Sequence, residues 1–431
     1  MTIPFGRTFL EKIATTTRYP SFAQYGEYDE SADLPYEIPP DKIVLGMSDR
    51  NFEGEPIQIP HRGGQQQPII ILGKMGSGKT TVAMNIIGQK FHRYGQPTLL
   101  VDPKREFYTH YQPNQKRSSR QLLKSLGLIP KGLPIDPITP KCCKYFWENS
   151  KTSGTTYSLE MHDFNRLPTQ SERNQALIEL FSVGQSDAAK RELYQFLDGD
   201  FKTFKEIRDK AAFTDEIKSP SLRSSIISMY DSGVIGNRDG KSQSIYIPER
   251  MQALGSDKPN YVVDLRLGLE AKTDLLQAMY LKMAISDVVN DRIMAKNFRR
   301  GNLTRAPLIA IDEADVFVPR NEKYPTKQII EHLSTKYRAF SISAILLTQH
   351  PDLISETVIQ QAHYVITSRL QSVEEKTPLR ARGLSDQEID MVMKDLYWEE
   401  TDPVKEFAII KTNGDYETFF ALDCPSQMYR E

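Results

Sequence analysis

The 431-residue sequence lacks several features, and each absence excludes a class of protein. It has three cysteines, two of them adjacent, so it contains neither a disulfide framework nor a zinc-binding spacing. No stretch approaches the roughly 18 consecutive apolar residues of a membrane span, and the first residues lack the apolar core of a signal peptide. An excess of charge of one sign is also missing, because 55 Lys and Arg face 56 Asp and Glu. We therefore expect a cytoplasmic protein with no membrane span.

What the sequence does contain is an alternation of short apolar runs with segments of helical spacing. Strands are predicted at 42–46, 56–60, 68–72, 98–101, 261–265, 308–311, 343–347 and 364–367. Helices are predicted at 80–91, 172–181, 188–197, 204–212, 221–230 and 271–295, with another after residue 385. Segments 406–411 and 417–421, joined by Asn413 and Gly414, are predicted as a β-hairpin. Alternating strands and helices predict an α/β fold with a mostly parallel sheet.

The length allows two or three compact units of roughly 150 residues, or one large domain with insertions. Residues 1–41, rich in Tyr, Pro and acidic side chains, are predicted as an extended arm. Residues 42–104 and 256–431 contain the strand motifs and are predicted as two parts of one core. Residues 105–255 are less regular and are predicted as a mostly helical insertion.

Residues 73–80, GKMGSGKT, match the phosphate-binding pattern G-x-x-x-x-G-K-[ST] at every fixed position. A polyphosphate needs closely spaced backbone N–H donors and a helix N-terminus, and glycines bring these together without Cβ clashes. A buried strand precedes the pattern and an amphipathic helix follows it, which argues against a chance turn. We expect Lys79 to reach the β- and γ-phosphates of ATP and the Thr80 hydroxyl to ligate Mg²⁺. The predicted nucleotide-binding residues are Gly73, Lys74, Met75, Gly76, Ser77, Gly78, Lys79, Thr80 and Thr81.

Two acidic residues, Asp312 and Glu313, follow the apolar run 308–311. An acid at the carboxyl end of a parallel strand lies beside the phosphate loop, so Asp312 can hold Mg²⁺ and Glu313 can polarise an attacking water. Gln349 ends the next apolar run and can contact the γ-phosphate or the lytic water. Without the phosphate loop, ordinary polar strand ends would explain all three residues. Glu106 is either a further acid of this site or a solvated loop charge.

In this order, the motifs resemble the HerA–FtsK superfamily of DNA-pumping ATPases. The similarity rests on the approach segment 43–46, the phosphate loop 73–80, the DPKRE run 102–106, the DEA run 312–314 and the run 337–351 that contains TQHP. Arg105, Tyr337 and Ser341 stand where the family usually has glycine. The resemblance spans residues 42–421. It implies a RecA-like P-loop NTPase core, assembly into a hexameric ring with nucleotide between subunits, and double-stranded DNA in the central channel.

The same resemblance implies a catalytic arginine supplied by a neighbouring subunit, since a cation must meet the charge that develops on the transferred phosphoryl group. Arg338 is the first candidate because it matches the motif. Arg369, which follows the next strand, is the second. A plain surface charge is the alternative for both.

Two basic clusters are candidates for contacting the DNA backbone, which requires positive charge and no reading of bases. Residues 104–144 contain nine basic and two acidic residues, a local charge of +7. The second cluster precedes the Asp312 strand and comprises Arg292, Lys296, Arg299, Arg300 and Arg305. It is the better candidate for a channel loop, because it is close in sequence to the hydrolytic strand. A solvated basic face is the alternative for both clusters.

The sequence therefore predicts a ring-forming, Mg²⁺-dependent ATPase that translocates double-stranded DNA, in a cellular, DNA-transfer or viral packaging role. Two other functions stay open. A P-loop switch or scaffold would bind nucleotide and regulate a partner without moving nucleic acid. A small-molecule kinase is disfavoured by Glu313 and Gln349.

Overall fold

The computed structural model describes residues 39–61, 67–104, 107, 110, 112–128, 130–140, 155–157, 169–181, 186–199, 201–231, 235, 246–251, 262–265, 274–299, 301, 303, 305–321, 324–397, 399 and 404–426. The predicted N-terminal arm lies outside the described residues, except for 39–41. Within the described ranges, no helix has the length and apolar character needed to cross a membrane.

The strands are β1 Lys42–Met47, β2 Pro56–Pro60, β3 Ile69–Leu72, β4 Thr98–Val101, β5 Ile135–Pro140, β6 Thr155–Tyr157, β7 Val262–Leu265, β8 Leu308–Ile311, β9 Ser343–Thr348, β10 Tyr364–Thr367, β11 Glu406–Ile410 and β12 Tyr416–Ala421. They form one twelve-stranded sheet in the order β2-β1-β12-β11-β10-β3-β9-β8-β4-β7-β5-β6. Every neighbouring pair from β10 to β6 is parallel. The pairs from β2 to β10 are antiparallel. The predicted α/β class with a mostly parallel sheet is confirmed.

The helices are α1 Lys79–Tyr94, α2 Arg117–Ser125, α3 Gln170–Phe181, α4 Asp187–Leu197, α5 Phe204–Phe213, α6 Pro220–Asp231, α7 Ile247–Met251, α8 Asp274–Phe298, α9 Ala314–Phe317, α10 Lys327–Ser334, α11 Glu356–Gln361, α12 Val373–Arg380 and α13 Asp386–Asp395. A 3₁₀ helix spans Tyr337–Phe340. Ser385 and Glu388 form a capping box at the start of α13, in which the side chain of each accepts a hydrogen bond from the backbone N–H of the other.

The sheet separates two apolar cores because successive side chains of a strand point to opposite faces. In β3, Ile69 and Ile71 pack on the face that α1 covers. Ile70 and Leu72 pack on the other face, in the core that contains α8 and the helices α3 to α6. Burial on both faces explains why β3, β4, β8 and β9 read as continuous apolar runs without alternation.

The hairpin formed by β1 and β2 is tied to α1 by two buried amides. Gln89 accepts a hydrogen bond from the Val44 N–H at 2.9 Å and donates to the Val44 carbonyl at 2.7 Å. Asn85 donates to the same carbonyl at 2.9 Å. The register of β1 against β2 shifts between Val44 and Gly46. At this irregularity the Gln89 and Asn85 side chains make hydrogen bonds with the backbone of Val44. The approach segment 43–46 is therefore fixed to the helix that follows the phosphate loop.

The sequence predicted no strand between residues 105 and 255, yet β5 and β6 lie there and extend the sheet beyond β7. The β5 segment, IDPITP, contains Pro137 and Pro140, and proline normally argues against a strand because it cannot donate to the ladder. The helices predicted in this stretch are present as α3 to α6. The boundaries of the core and of the insertion stay a prediction.

Candidate nucleotide-binding and hydrolysis site

The phosphate loop joins β3, a central strand of the twelve-stranded sheet, to α1. Gly76 and Gly78 adopt positive φ angles of 74° and 87°, a region that glycine enters without steric cost. The loop is bonded to its own helix and to β9: Lys79 Nζ donates to the Lys74 carbonyl at 2.8 Å, and the Gly73 N–H donates to the Thr348 carbonyl at 3.3 Å. The predicted turn between strand and helix is therefore present, with Lys79 at the first helical position.

Gly73 is the most crowded position of the loop. A Cβ there would lie 2.2 Å from Ser368 Oγ and 2.7 Å from Ser77 Oγ. Both hydroxyl oxygens are buried and have no hydrogen-bond partner within the described structure. Buried polar atoms without partners are uncommon in folded proteins and call for an explanation, such as an absent ligand or water. We expect a bound nucleotide or its water shell to satisfy them.

Gly73→Ala should therefore lower ATP affinity by about tenfold or more, because the added methyl group overpacks the loop. Gly76→Ala is the matched control, since both glycines have a positive φ (155° at Gly73 and 74° at Gly76) but a Cβ at Gly76 would meet no described atom within 4 Å. Titration with a fluorescent ATP analogue would measure both variants. Equal losses of affinity would contradict the crowding argument and leave only the shared backbone strain.

Asp312 and Glu313 follow β8, which is separated from β3 only by β9. Ile311 pairs with Leu346 of β9, so the two acids lie level with the end of β9 and close to the phosphate loop. Both are buried, with exposed fractions of 3% and 5%. Glu313 adopts φ 49°, the left-handed region that non-glycine residues rarely enter. Such strain persists where the surroundings enforce it, and it is common at active sites.

The Glu313 carboxylate receives two donors at a single oxygen. Gln349 Nε2 donates to Glu313 Oε1 at 2.5 Å, and Lys104 Nζ forms an ion pair and a hydrogen bond with the same oxygen. The structure thus brings Gln349 and Glu313 together, while their predicted roles at the phosphate and the attacking water stay a prediction. It places Lys104 in the same group, although the sequence suggested it only as a DNA contact. The position of Lys104 just after β4 could have indicated this, because β4 is the parallel neighbour of β8 and the ends of the two strands lie side by side.

A third acid near this group, Asp315, was not identified from the sequence. Thr348 Oγ1 donates to Asp315 Oδ1 at 2.5 Å and accepts a hydrogen bond from the His350 N–H at 3.0 Å. Burial raises the pKa of Asp315, the nearby Glu313 carboxylate adds to the rise, and the Thr348 hydrogen bond opposes it. Asp315 therefore fixes the end of β9, from which Gln349 projects.

The loop is also connected to the segment after β10. Lys74 Nζ donates to Gln371 Oε1 at 2.9 Å and lies 3.4 Å from Glu375 Oε1. Burial alone would raise the pKa of Glu375, but the backbone N–H groups of Gln371 and Ser372 and the Lys74 charge lower it overall. Lys74, a variable position of the motif, thus links the loop to the capping box that starts α12.

The two candidate arginines lie at opposite edges of the sheet. Arg369 is exposed and follows β10, next to the phosphate-loop strand. Arg338 lies in the 3₁₀ helix before β9, and its Nε donates to the Thr335 carbonyl at 3.3 Å. Gln349 follows the other end of β9, and a six-residue strand is about 20 Å long. Arg338 therefore cannot reach the site of its own chain.

The basic clusters are only partly free to meet a polyanion. In the second cluster, Arg292 donates to the carbonyls of Phe340 and Leu303, and Lys296 donates to that of Ala339. Arg305 lies 3.4 Å from the carbonyls of Tyr94 and Gly95, at the end of α1. In the first cluster Lys104 is paired with Glu313, and the exposed Lys116 lies 3.3 Å from Asp423 Oδ2. Three further residues of this cluster are exposed: Arg117, Arg120 and Lys131. Arg105, Glu106, Lys141, Lys144, Arg300 and Asn302 lie outside the described residues.

The site fits a magnesium–nucleotide complex by its donor chemistry. Thr80 and Asp312 supply a hydroxyl and a carboxylate, the oxygen ligands that Mg²⁺ prefers. Among the described residues, no group of three or more His, Cys, Asp and Glu could hold a metal by itself. Mg²⁺ is commonly bound by one or two protein oxygens together with substrate phosphates, and Thr80 and Asp312 are two such residues.

Comparison with protein-family models and with curated proteins gave no match. Among solved structures, the chain is similar to VirB4 of Thermoanaerobacter pseudethanolicus, with 16% identity, 90% of this chain and 96% of that chain covered, and a TM-score of 0.55. The bacterial conjugative coupling protein TrwB matches with 11% identity, coverage of 89% and 82%, and a TM-score of 0.44. The genome packaging NTPase B204 of Sulfolobus turreted icosahedral virus 2 matches with 11% identity, coverage of 85% and 100%, and a TM-score of 0.37. At 16% identity the similarity to VirB4 shows a shared fold, in agreement with the predicted RecA-like α/β core.

Proposed function

We propose that this protein is a Mg²⁺-dependent ATPase that forms a ring, with six subunits as the family resemblance implies, and moves double-stranded DNA. The observation that supports it best is a pair of contacts at one sheet edge. Gln349 donates to Glu313, and the Thr348 carbonyl next to it accepts from Gly73 of the phosphate loop. Glu313, the candidate base, Gln349, which can contact the γ-phosphate, and the backbone of the phosphate loop are therefore neighbours.

In this proposal each residue has a separate role in hydrolysis. Lys79 and the backbone N–H groups of residues 73–80 bind and orient the phosphates. Glu313 accepts a proton from the water that attacks the γ-phosphorus, and Gln349 orients that water. Mg²⁺, held by Thr80 and Asp312 when bound, would neutralise charge on the phosphates.

Ring assembly is proposed from the position of Arg338. A cation is needed where charge develops on the transferred phosphoryl group. Arg338 lies at the sheet edge opposite the phosphate loop, so it can serve only the site of another subunit. Arg369, the second candidate for an arginine from a neighbouring subunit, lies on the loop side of the sheet and would instead act within its own chain.

The test is the ATPase rate against added duplex DNA and salt, with mass measurement of the assembly in the same buffer. We expect duplex DNA to raise the rate several-fold, and raising the salt from about 50 to 200 mM to remove most of that stimulation, because phosphate contacts release counterions. A rate that ignores both DNA and salt would favour the nucleotide switch or scaffold. A phosphorylated metabolite in an acceptor screen would favour a kinase.

A further inference from the structure

Lys104 is not part of the phosphate-loop motif, yet its ammonium group contacts the candidate base. It forms an ion pair with Glu313 Oε1, the oxygen that also accepts from Gln349. The Glu313 side chain is 6% exposed and the Lys104 side chain 29%, so the contact is sheltered on the glutamate side. An oxygen that already accepts from a cation and an amide has little capacity left to take the proton of a water molecule.

We propose that Lys104 is a positioning residue that holds Glu313 away from the attacking water and thereby suppresses ATP hydrolysis in the resting protein. The inference rests on the proposed function, because it takes Glu313 as the base. Opening of the Lys104 contact leaves Gln349 as the remaining donor to Oε1 and allows turnover.

The local fold holds Lys104 in this place. It follows Asp102 and Pro103 at the end of β4, and β4 is the parallel neighbour of β8, whose end carries Glu313. Asp102 is fully buried, and its Oδ2 accepts a hydrogen bond from the Phe107 N–H at 3.0 Å. Phe107 is itself buried in the core beneath. The backbone on both sides of Lys104 is therefore anchored, and the ion pair forms between two fixed strand ends.

A purely structural role would give a different outcome. If Lys104 only compensated a buried carboxylate or oriented Glu313 for catalysis, its removal would lower turnover, because the base would lose its support. If Lys104 restrains the base, its removal raises the resting rate. The direction of the change therefore decides between the two roles.

The experiment compares Lys104→Met, Lys104→Arg and wild-type protein by steady-state ATPase kinetics, with and without duplex DNA. Lys104→Met keeps the length of the side chain and removes the charge; we expect its kcat without DNA to rise about tenfold, with KM for ATP unchanged. Lys104→Arg keeps a donor for Glu313 and should retain the low resting rate. Lys411→Met is the matched control, since it breaks another Lys–Glu pair, with Glu417 on the C-terminal hairpin, and should leave kcat unchanged.

An unchanged or lowered resting kcat in Lys104→Met, with ATP affinity retained, would overturn the proposal. A loss of ATP affinity together with a lower melting temperature would also overturn it, since Lys104 would then be structural. The DNA arm separates this result from the proposed function. If wild-type turnover ignores DNA, the translocase proposal fails, while the resting rate of Lys104→Met still decides the role of Lys104.

Discussion

Glu313→Gln should leave ATP bound but lower its turnover about 100-fold or more, the usual contribution of a positioned general base. Glutamine has nearly the same shape, and its carbonyl oxygen can still accept from Lys104 and Gln349, so the fold of the site should persist. The amide cannot take a proton from water, which is why binding and hydrolysis should separate. Equilibrium ATP binding and single-turnover hydrolysis, measured on the same preparation, check both halves.

Lys79→Ala is the contrasting variant, because it should lose ATP binding and turnover together. Lys79 is 6% exposed and is held by the Lys74 carbonyl, so its ammonium group belongs to the loop itself. Rapid hydrolysis by Glu313→Gln would remove Glu313 as the base and direct attention to Asp315, another buried acid close to Gln349.

Arg338→Ala should keep the ATP affinity of the wild type and lose about 1,000-fold in kcat, as expected when a catalytic arginine is removed from phosphoryl transfer. Its position before β9, about 20 Å from the residue that follows β9, requires that it act across a subunit interface. Mixing Arg338→Ala subunits with Lys79→Ala subunits should then restore activity. At equal amounts about a quarter of the head-to-tail interfaces would combine an intact loop with an intact arginine.

The measurement is the ATPase rate of the mixed protein after subunit exchange, compared with each variant alone. Arg369→Ala is a useful second variant, because Arg369 lies beside the phosphate-loop strand and should not be complemented by mixing. Absence of recovery in the Arg338→Ala mixture, with exchange verified by mass, would argue against a role for Arg338 across the interface.

The central strands and the phosphate loop could be predicted from the sequence because their signals are local. Buried parallel strands read as apolar runs, and the loop reads as glycines at fixed spacing before a lysine. The parallel register then determines which strand ends are neighbours. Leu72 pairs with Thr348 and Val101 with Ile311, so the carboxyl ends of four strands lie at one edge of the sheet. The contact of Gln349 with Glu313 follows from that register.

Other features depend on long-range packing that the sequence does not encode locally. The prolines of β5 argue against a strand, yet the segment pairs with β7 on one side and β6 on the other. Lys104 reads as one of many lysines in a basic stretch, and its partner Glu313 is 209 residues away. Arg292 and Lys296 read as surface charges, although their side chains bind backbone carbonyls around the 3₁₀ helix. In each case the structural role of the segment or side chain depends on a contact with residues distant in sequence, and that contact exists only in the folded protein.

At Glu313 the proposed catalytic role and the stability of the folded protein have opposite requirements, because the side chain is needed for hydrolysis but its left-handed backbone conformation is unfavourable. An ordinary residue in that conformation costs on the order of 1 kcal/mol, which glycine would largely avoid. A laboratory selection for a higher melting temperature alone would therefore tend to replace this glutamate. The selected variants would have a higher free energy of unfolding and would no longer hydrolyse ATP.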